Sequence, residues 1–205
     1  VLNRNGEGME NYKEYLKNLI YNYLHTKADD AIIKYLSDNS SVKTFKKNEL
    51  VIAAGDASSK LFVLYQGLIR KFYLDYQGND ITHMFITPDS VFSTEFIMVQ
   101  TPALCSFEAL EECVLLQMDY KKVRQKMMEE RQLMQVYIRI LEETLREKLL
   151  RDNSLLGKCA TERYLELKHR MPDIDKRVNH THIASYIGVT PVSLSRIRRT
   201  LREEN

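Results

Sequence analysis

The sequence predicts an α+β chain: a small β roll preceded by short helices, then a long connecting helix, then a C-terminal helix-turn-helix unit. Three observations predict it. Between Val42 and about Met118, short β-branched or aromatic runs alternate with Gly-containing turns. From Asp119 to about Leu156 a helical pattern continues without a Gly or Pro. From Asn179 to Leu201 two capped helices are joined by a glycine turn.

Residues 1–8 are polar and Gly-containing, precede Met9, and read as a candidate tag remnant, so they are set aside. In 10–36, Tyr12, Leu16, Leu19, Ile20, Tyr23 and Leu24, then Ile32, Ile33 and Leu36, recur at three and four residues. This spacing predicts short amphipathic helices broken near Thr26. The strand-like runs that follow are 49–52, 61–65, 68–74, 82–86, 106–110 and 113–118. They are separated by Ala54-Gly55-Asp56, Gln66-Gly67 and Gln77-Gly78-Asn79, where Gly takes positive φ without steric cost. Glu111-Glu112 reads as a solvated turn. Closely spaced strands of this kind predict a small all-β barrel or roll.

In the long helix, Met134, Ile138, Leu141, Leu145 and Leu149 form an apolar stripe, widened by Tyr137 and Ile140, with Glu142, Glu143, Arg146 and Glu147 opposite. A periodic helix beyond about 25 residues favours pairing with a second helix. A homodimer seam through Met134, Tyr137, Ile138, Leu141, Leu145 and Leu149 is therefore expected, against the alternative that the helix lies on its own domain. Gly157 ends the pattern, and a shorter helix from Thr161 to Met171 stops before Pro172.

The segment NHTHIASYIGVTPVSLSRIRRTL starts at Asn179. Asn179 is a good N-cap for a helix over 180–187, because its side-chain oxygen can accept from an unpaired helical N–H. Gly188 suits the left-handed position that ends it. Thr190 caps a second helix with Pro191 at its first position, where the missing N–H is harmless. Ile183, Ala184, Ile187, Val189, Leu194, Ile197 and Leu201 supply the apolar face, and small Ala184 allows close helix approach. The opposite face carries Val192, Ser193, Arg196 and Arg199, flanked by Ser195, Arg198 and Arg202, and no acid occurs from Thr190 to Arg202. Arg side chains there can reach guanine edges or phosphates, while Asn179, His180, Thr181, Thr190 and Ser193 at the helix starts can hold the backbone.

With Lys+Arg 30 against Asp+Glu 28, the overall charge is only +2, yet the C-terminal portion from Thr161 is the basic part. No apolar run reaches membrane-spanning length and no secretory apolar region opens the chain, so no membrane partner is expected. Cys105, Cys113 and Cys159 are widely spaced, which excludes a CxxC zinc pair and a disulfide framework and fits a reducing cytoplasm. No nucleophile triad, metal-ligand spacing, phosphate-cradling Gly loop or carboxylate pair marks an enzyme. Catalytic and metal residues are expected to be none, and His83 alone gives no support to a haem.

Two segments, LVIAAGDASSKLFVLYQGLIRKFY and HIASYIGVTPVSLSRIRRTL, joined by the long helix, resemble the Crp-Fnr family of bacterial transcription regulators. The resemblance covers the chain after Met9. It implies a cyclic-nucleotide-binding-like jelly roll (9–125), a connecting dimerisation helix (126–156) and a C-terminal winged helix with a helix-turn-helix (157–205). It further implies a near-palindromic double-stranded DNA operator and a homodimer, with RNA polymerase as a further candidate partner.

The departures from the family pattern are specific. In its cyclic-nucleotide binders a short helix supplies a Glu for the ribose and an Arg for the cyclic phosphate. Here Glu95 can stand at the acidic position, but the Arg position holds Ala103 and Leu104 follows where a hydroxyl is usual. A phosphate buried without a cation is poorly compensated, so tight cyclic-AMP binding is not expected. No cofactor is expected and the effector is unidentified. The iron–sulfur cysteine cluster of oxygen-sensing relatives is missing. Phe85, Phe92, Glu95, Phe96, Ala103 and Leu104 are the candidate ligand-pocket residues. Pro191 and Val192 replace the Arg-Glu pair that opens many recognition helices, so operator sequence does not carry over. The chain also stops soon after the recognition helix, which predicts a shortened or missing wing hairpin. A sequence-specific regulator is the leading expectation. The alternative is a small-ligand module whose helix-turn-helix makes protein contacts.

Overall fold

A computed structural model describes residues 9–93 and 101–203. Its architecture is α+β, as the sequence predicts. Helices α1 (Met9–Leu24) and α2 (Asp30–Asp38) bury Tyr12, Leu16, Leu19, Ile20, Ile32 and Ile33. The periodicity of three and four places these side chains on one stripe of each helix.

The roll follows: β1 (Ser40–Phe45), β2 (Leu50–Ile52), β3 (Lys60–Gln66), β4 (Ile69–Leu74), β5 (Asp80–Ile86), β6 (Val91–Ser93), β7 (Ser106–Ala109) and β8 (Cys113–Asp119). They form two antiparallel sheets, in the orders β1-β8-β3-β6 and β2-β7-β4-β5. Between them Ile52, Phe62, Leu64, Ile69, Phe107 and Leu115 make the roll's core. Two strands were not expected. β1 carries Ser40, Ser41, Lys43 and Thr44, so its apolar alternation is faint, yet it pairs with β8 from Ser40↔Met118 to Phe45↔Cys113. β6 is only three residues long. Gly67 is indispensable between β3 and β4: its φ is +107°, and a Cβ there would lie 2.5 Å from Cys113 Sγ and 2.7 Å from the Glu112 carbonyl oxygen.

The uninterrupted helix expected after Asp119 is in fact two helices, α3 (Tyr120–Glu129) and α4 (Arg131–Gly157). Asp119 caps α3 by accepting from the Lys121 and Lys122 amides at 3.0 and 3.4 Å. Glu130 alone is extended, with φ −115° and ψ 107°. The reason is tertiary. Tyr120, Val123 and Met127 pack α3 on the roll, whereas α4 must turn toward α1 and α2, where Gln132 donates to the Lys27 carbonyl at 2.8 Å and accepts from the Asp29 amide at 3.0 Å. Leu133 is buried there, with Met134, Val136 and Tyr137 packed beside it.

The C-terminal unit contains α5 (Ala160–Arg170), α6 (Ile174–Arg177), α7 (His180–Ile187) and α8 (Pro191–Glu203). Leu167, Ile174, Ile183, Ala184, Ile187 and Leu194 form its core, each at most 1% exposed. Among the described residues no strand follows β8, so the wing of the expected winged helix is not among them.

This unit is seated on the roll. Leu68 and Leu110 belong to the same apolar cluster as its core, and Phe85 of β5 stacks against Tyr186 of α7 with ring centres 5.1 Å apart. Glu111 is not the solvated turn residue expected: its carboxylate accepts from Arg177 at 2.6 and 3.2 Å.

Candidate nucleic-acid interface

Local chemistry builds the helix-turn-helix as the sequence predicts. Asn179 Oδ1 accepts from the Thr181 amide at 3.0 Å and starts α7. Gly188 ends it at φ 72° and ψ 40°, in the left-handed region. Thr190 Oγ1 then accepts from the Ser193 amide at 3.2 Å and lies 3.0 Å from Ser193 Oγ, and α8 begins at Pro191.

On α8, Leu194 is fully buried and Ile197 and Leu201 pack inward. Val192, Ser195, Arg196 and Arg199 face outward and are exposed, and Ser193 is half-buried at the helix start. The arginines divide into three kinds. Arg196 is exposed, and among the described residues no ion pair holds it. Arg199 donates to Glu203 one turn on at 2.8 Å, with both side chains largely in solvent. Arg198 is drawn back onto its own unit, where it contacts His180 and lies 3.8 Å from Asp175. His180 is thus partly engaged in that unit, while Asn179 and Thr181 stand exposed beside it.

Of the described candidate ligand-pocket residues, Phe92 and Ala103 share the roll core, whereas Phe85 and Leu104 lie outside it. Phe85 leaves the roll interior to pack against the C-terminal unit. Phe92 lies in the roll core, in a stack with Phe62 at 5.5 Å and Phe107 at 5.2 Å. Ala103 is buried in that core, held by backbone bonds to Gly55 and Asp56, and Leu104 is exposed. Glu95 and Phe96 lie outside the described residues. The stripe on α4 divides as well. Met134 and Tyr137 pack on their own protomer, whereas Ile138, Leu145 and Leu149 are 47, 58 and 59% exposed, and Leu141 is half-buried. An open groove of about 1100 Å³ runs beside Ile138, Arg139 and Glu142, bounded by Tyr23, His25 and the turn at Pro88.

One constellation escaped the sequence reading. Arg70 of β4 is 2% exposed. It donates to Glu108 of β7 at 2.6 and 3.0 Å, to Asp80 of β5 at 2.9 Å and to Thr82 at 3.3 Å. Its remaining N–H meets His182 Nδ1 of α7, at 2.7 Å, while the guanidinium lies over the Phe72 ring, 4.2 Å from its centre. A guanidinium can only donate, so Nδ1 accepts and His182 is neutral with its proton on Nε2. Burial, then the Arg70 charge, holds the His182 imidazole below the usual histidine range, against a weaker pull from Asp80 and Glu108. The bond from Arg70 likewise holds the Asp80 carboxyl below the usual carboxylate range. One turn along α7, Ser185 Oγ accepts from the Thr82 amide at 2.8 Å and lies 3.3 Å from the Asp80 carbonyl oxygen, to which it donates. These are outward-pointing backbone groups of an edge strand, so Ser185 stands in for a neighbouring strand. The signal in the sequence is faint: an Arg amid the apolar residues of a strand, and a polar pair three residues apart on the helix face opposite the core.

A family model of the cyclic nucleotide-binding domain matches residues 42–130. Solved structures extend the likeness over most of the chain. FixK2 from Bradyrhizobium japonicum is 18% identical over 80% of this chain and 85% of its own, with a TM-score of 0.66. The c-di-GMP responsive global regulator CLP of Xanthomonas campestris is 14% identical over 86% and 93%, with a TM-score of 0.69. A CooA mutant from Carboxydothermus hydrogenoformans is 16% identical over 88% and 83%, with a TM-score of 0.67.

The chain shares the fold of these Crp/Fnr-family solved structures. No curated protein matches it. Within this fold, 42–130 takes in most of β1, all of β2 to β8 and α3, so the cyclic nucleotide-binding domain match ends where the chain turns at Glu130. Among the described residues no helix is long and apolar enough to cross a membrane, and no cluster of His, Cys, Asp or Glu could hold a metal ion.

Proposed function

We propose that this protein is a homodimeric, sequence-specific DNA-binding transcription regulator of the Crp-Fnr type. The observation that carries the reading is the division of α8: Leu194 and Ile197 pack inward while Val192, Ser195, Arg196 and Arg199 stand outward without an acid among them. Such a face fits the major groove, with Arg196 the residue placed to pair with a guanine edge. Asn179, Thr181 and Thr190 lie at helix starts suited to phosphates.

Homodimerisation through the second half of α4 is supported by Leu145 and Leu149, which are more than half exposed, and by the groove beside Ile138. It would set two α8 helices about 34 Å apart, matching half-sites one helical turn apart on a near-palindromic operator. RNA polymerase is a further partner of a regulator with this architecture.

The roll would respond to a signal other than cyclic AMP. Ala103 brings no charge to the phosphate position, and the Phe62-Phe92-Phe107 stack fills the adjacent core. Calorimetry with cyclic AMP is expected to show no binding in the micromolar range, and micromolar affinity would overturn that part.

Selection from random duplex DNA tests the whole. An enriched, near-palindromic sequence is expected, with affinity that falls steeply as salt rises. Arg196→Ala should cost about 1–3 kcal/mol of operator affinity and relax one position of the motif, with unfolding unchanged. No enriched sequence would favour a signalling module whose helix-turn-helix makes protein contacts.

A further inference from the structure

We propose that Arg70, His182 and Ser185 form an acid-released latch that locks the helix-turn-helix unit onto the β5 edge of the roll. The contact joins three strands to one helix. Arg70 from β4 is held by Glu108 from β7 and Asp80 from β5, and presents its last N–H to His182 of α7. Ser185, one turn further, occupies the outward backbone groups of Asp80 and Thr82. Nothing in the folding of the helix-turn-helix itself requires these two polar residues. Its core is made by Ile183, Ala184, Ile187 and Leu194 on the other face of α7, and both of its helices are capped locally. The polar face of α7 serves the roll.

The latch has one titrating member in the mildly acidic range. Three charged groups face His182: Arg70 on β4, Asp80 at the start of β5 and Glu108 on β7. A proton on Nδ1 removes the lone pair that receives the Arg70 N–H and sets a second cation against a guanidinium 2.7 Å away. The two carboxylates offset this only in part, because both already bond to Arg70. The sign follows. The undocked His182 takes up a proton near its ordinary value of about 6.5, whereas the docked one resists it. Docking is therefore at full strength above that value and weakens as pH falls below it. The device rests on the regulator reading only for its consequence: opening the latch frees the reading head from a fixed orientation relative to the roll.

The Thr82 amide reports on the latch directly, since its acceptor belongs to α7. Hydrogen exchange of the full chain, expressed as protection factors at about pH 7.5 and about pH 5, should show protection at Thr82 falling about tenfold or more on acidification. In His182→Gln, whose side-chain oxygen still accepts from Arg70, the fall should be about tenfold smaller, leaving only what the rest of the fold contributes. His83 is held down to about 4 by burial and also weakens the fold below neutrality. It is unaltered in the variant, so the difference between the two proteins isolates His182. Glu111→Gln, at the second contact, should lower Thr82 protection equally at both values and leave the pH dependence in place. A pH-independent Thr82 in the wild type, or an equal fall in His182→Gln, would overturn the latch. The selected operator supplies a separate arm: its affinity should change over the same interval in the wild type and not in His182→Gln. Loss of DNA binding at every pH with the exchange result intact would overturn the regulator reading and leave the latch standing.

Discussion

The two halves of α4 follow one periodicity and have different fates. In the first half, Leu133 is 4% exposed and Met134, Val136 and Tyr137 close over α1 and α2. In the second half, Leu145 and Leu149 sit in register with them but are 58 and 59% exposed. The pattern of three and four states only that a helix has an apolar face. What covers that face depends on where the helix goes, and α4 runs past the edge of its own domain. The difference separates residues that hold the chain's own core together from exposed residues, which are those of the proposed dimer seam.

Substitutions can break this comparison. The largest effect is expected from Leu133→Ala, which opens a cavity under α1 and should cost about 2–5 kcal/mol of unfolding free energy in denaturant titration. A cost like that of a surface change would mean the first half of α4 is not part of the core. Leu145→Glu combined with Leu149→Glu should leave the unfolding of the protomer within about 0.5 kcal/mol. It should nevertheless shift the dimer to monomer in light scattering at micromolar concentration, with loss of operator affinity. A dimer that survives both charges would move the seam elsewhere. The milder Leu149→Ala should raise the dimer dissociation constant about tenfold, as expected for about 1.5 kcal/mol of apolar burial. The smallest effect belongs to Glu111→Gln. Its pair with Arg177 is partly open to solvent, with side chains 35 and 27% exposed. The change should therefore be under about 1 kcal/mol and vanish at high salt.

Legibility in the sequence followed the range of the interaction. Asn179, Gly188, Thr190 and Pro191 act on neighbours within four residues, and each does what its type predicts. The strand runs were visible where apolar residues alternate and invisible in β1, whose alternation is masked by Ser, Lys and Thr. The bend at Glu130 left no trace because the residue itself has no breaker chemistry; packing on the roll and on α1 sets the two directions. Of the outward face of α8, Arg196 and Arg199 were legible from their spacing and Arg198 was not, since its ties to His180 and Asp175 come from folding the unit. Phe85 was placed with Phe92 because both are aromatic and close in sequence, but the register of β5 turns Phe85 outward to Tyr186.

The sequence by itself determined most of the elements, their order and the helix-turn-helix, because caps, turns and periodic apolar faces are settled by residues a few positions apart. Only the tertiary structure decided that the helix-turn-helix sits on the β5 edge of the roll. Arg70 and His182 are 112 residues apart. Neither residue type announces a partner at that distance, because a buried charge is stable only where the fold gathers its counter-charges around it.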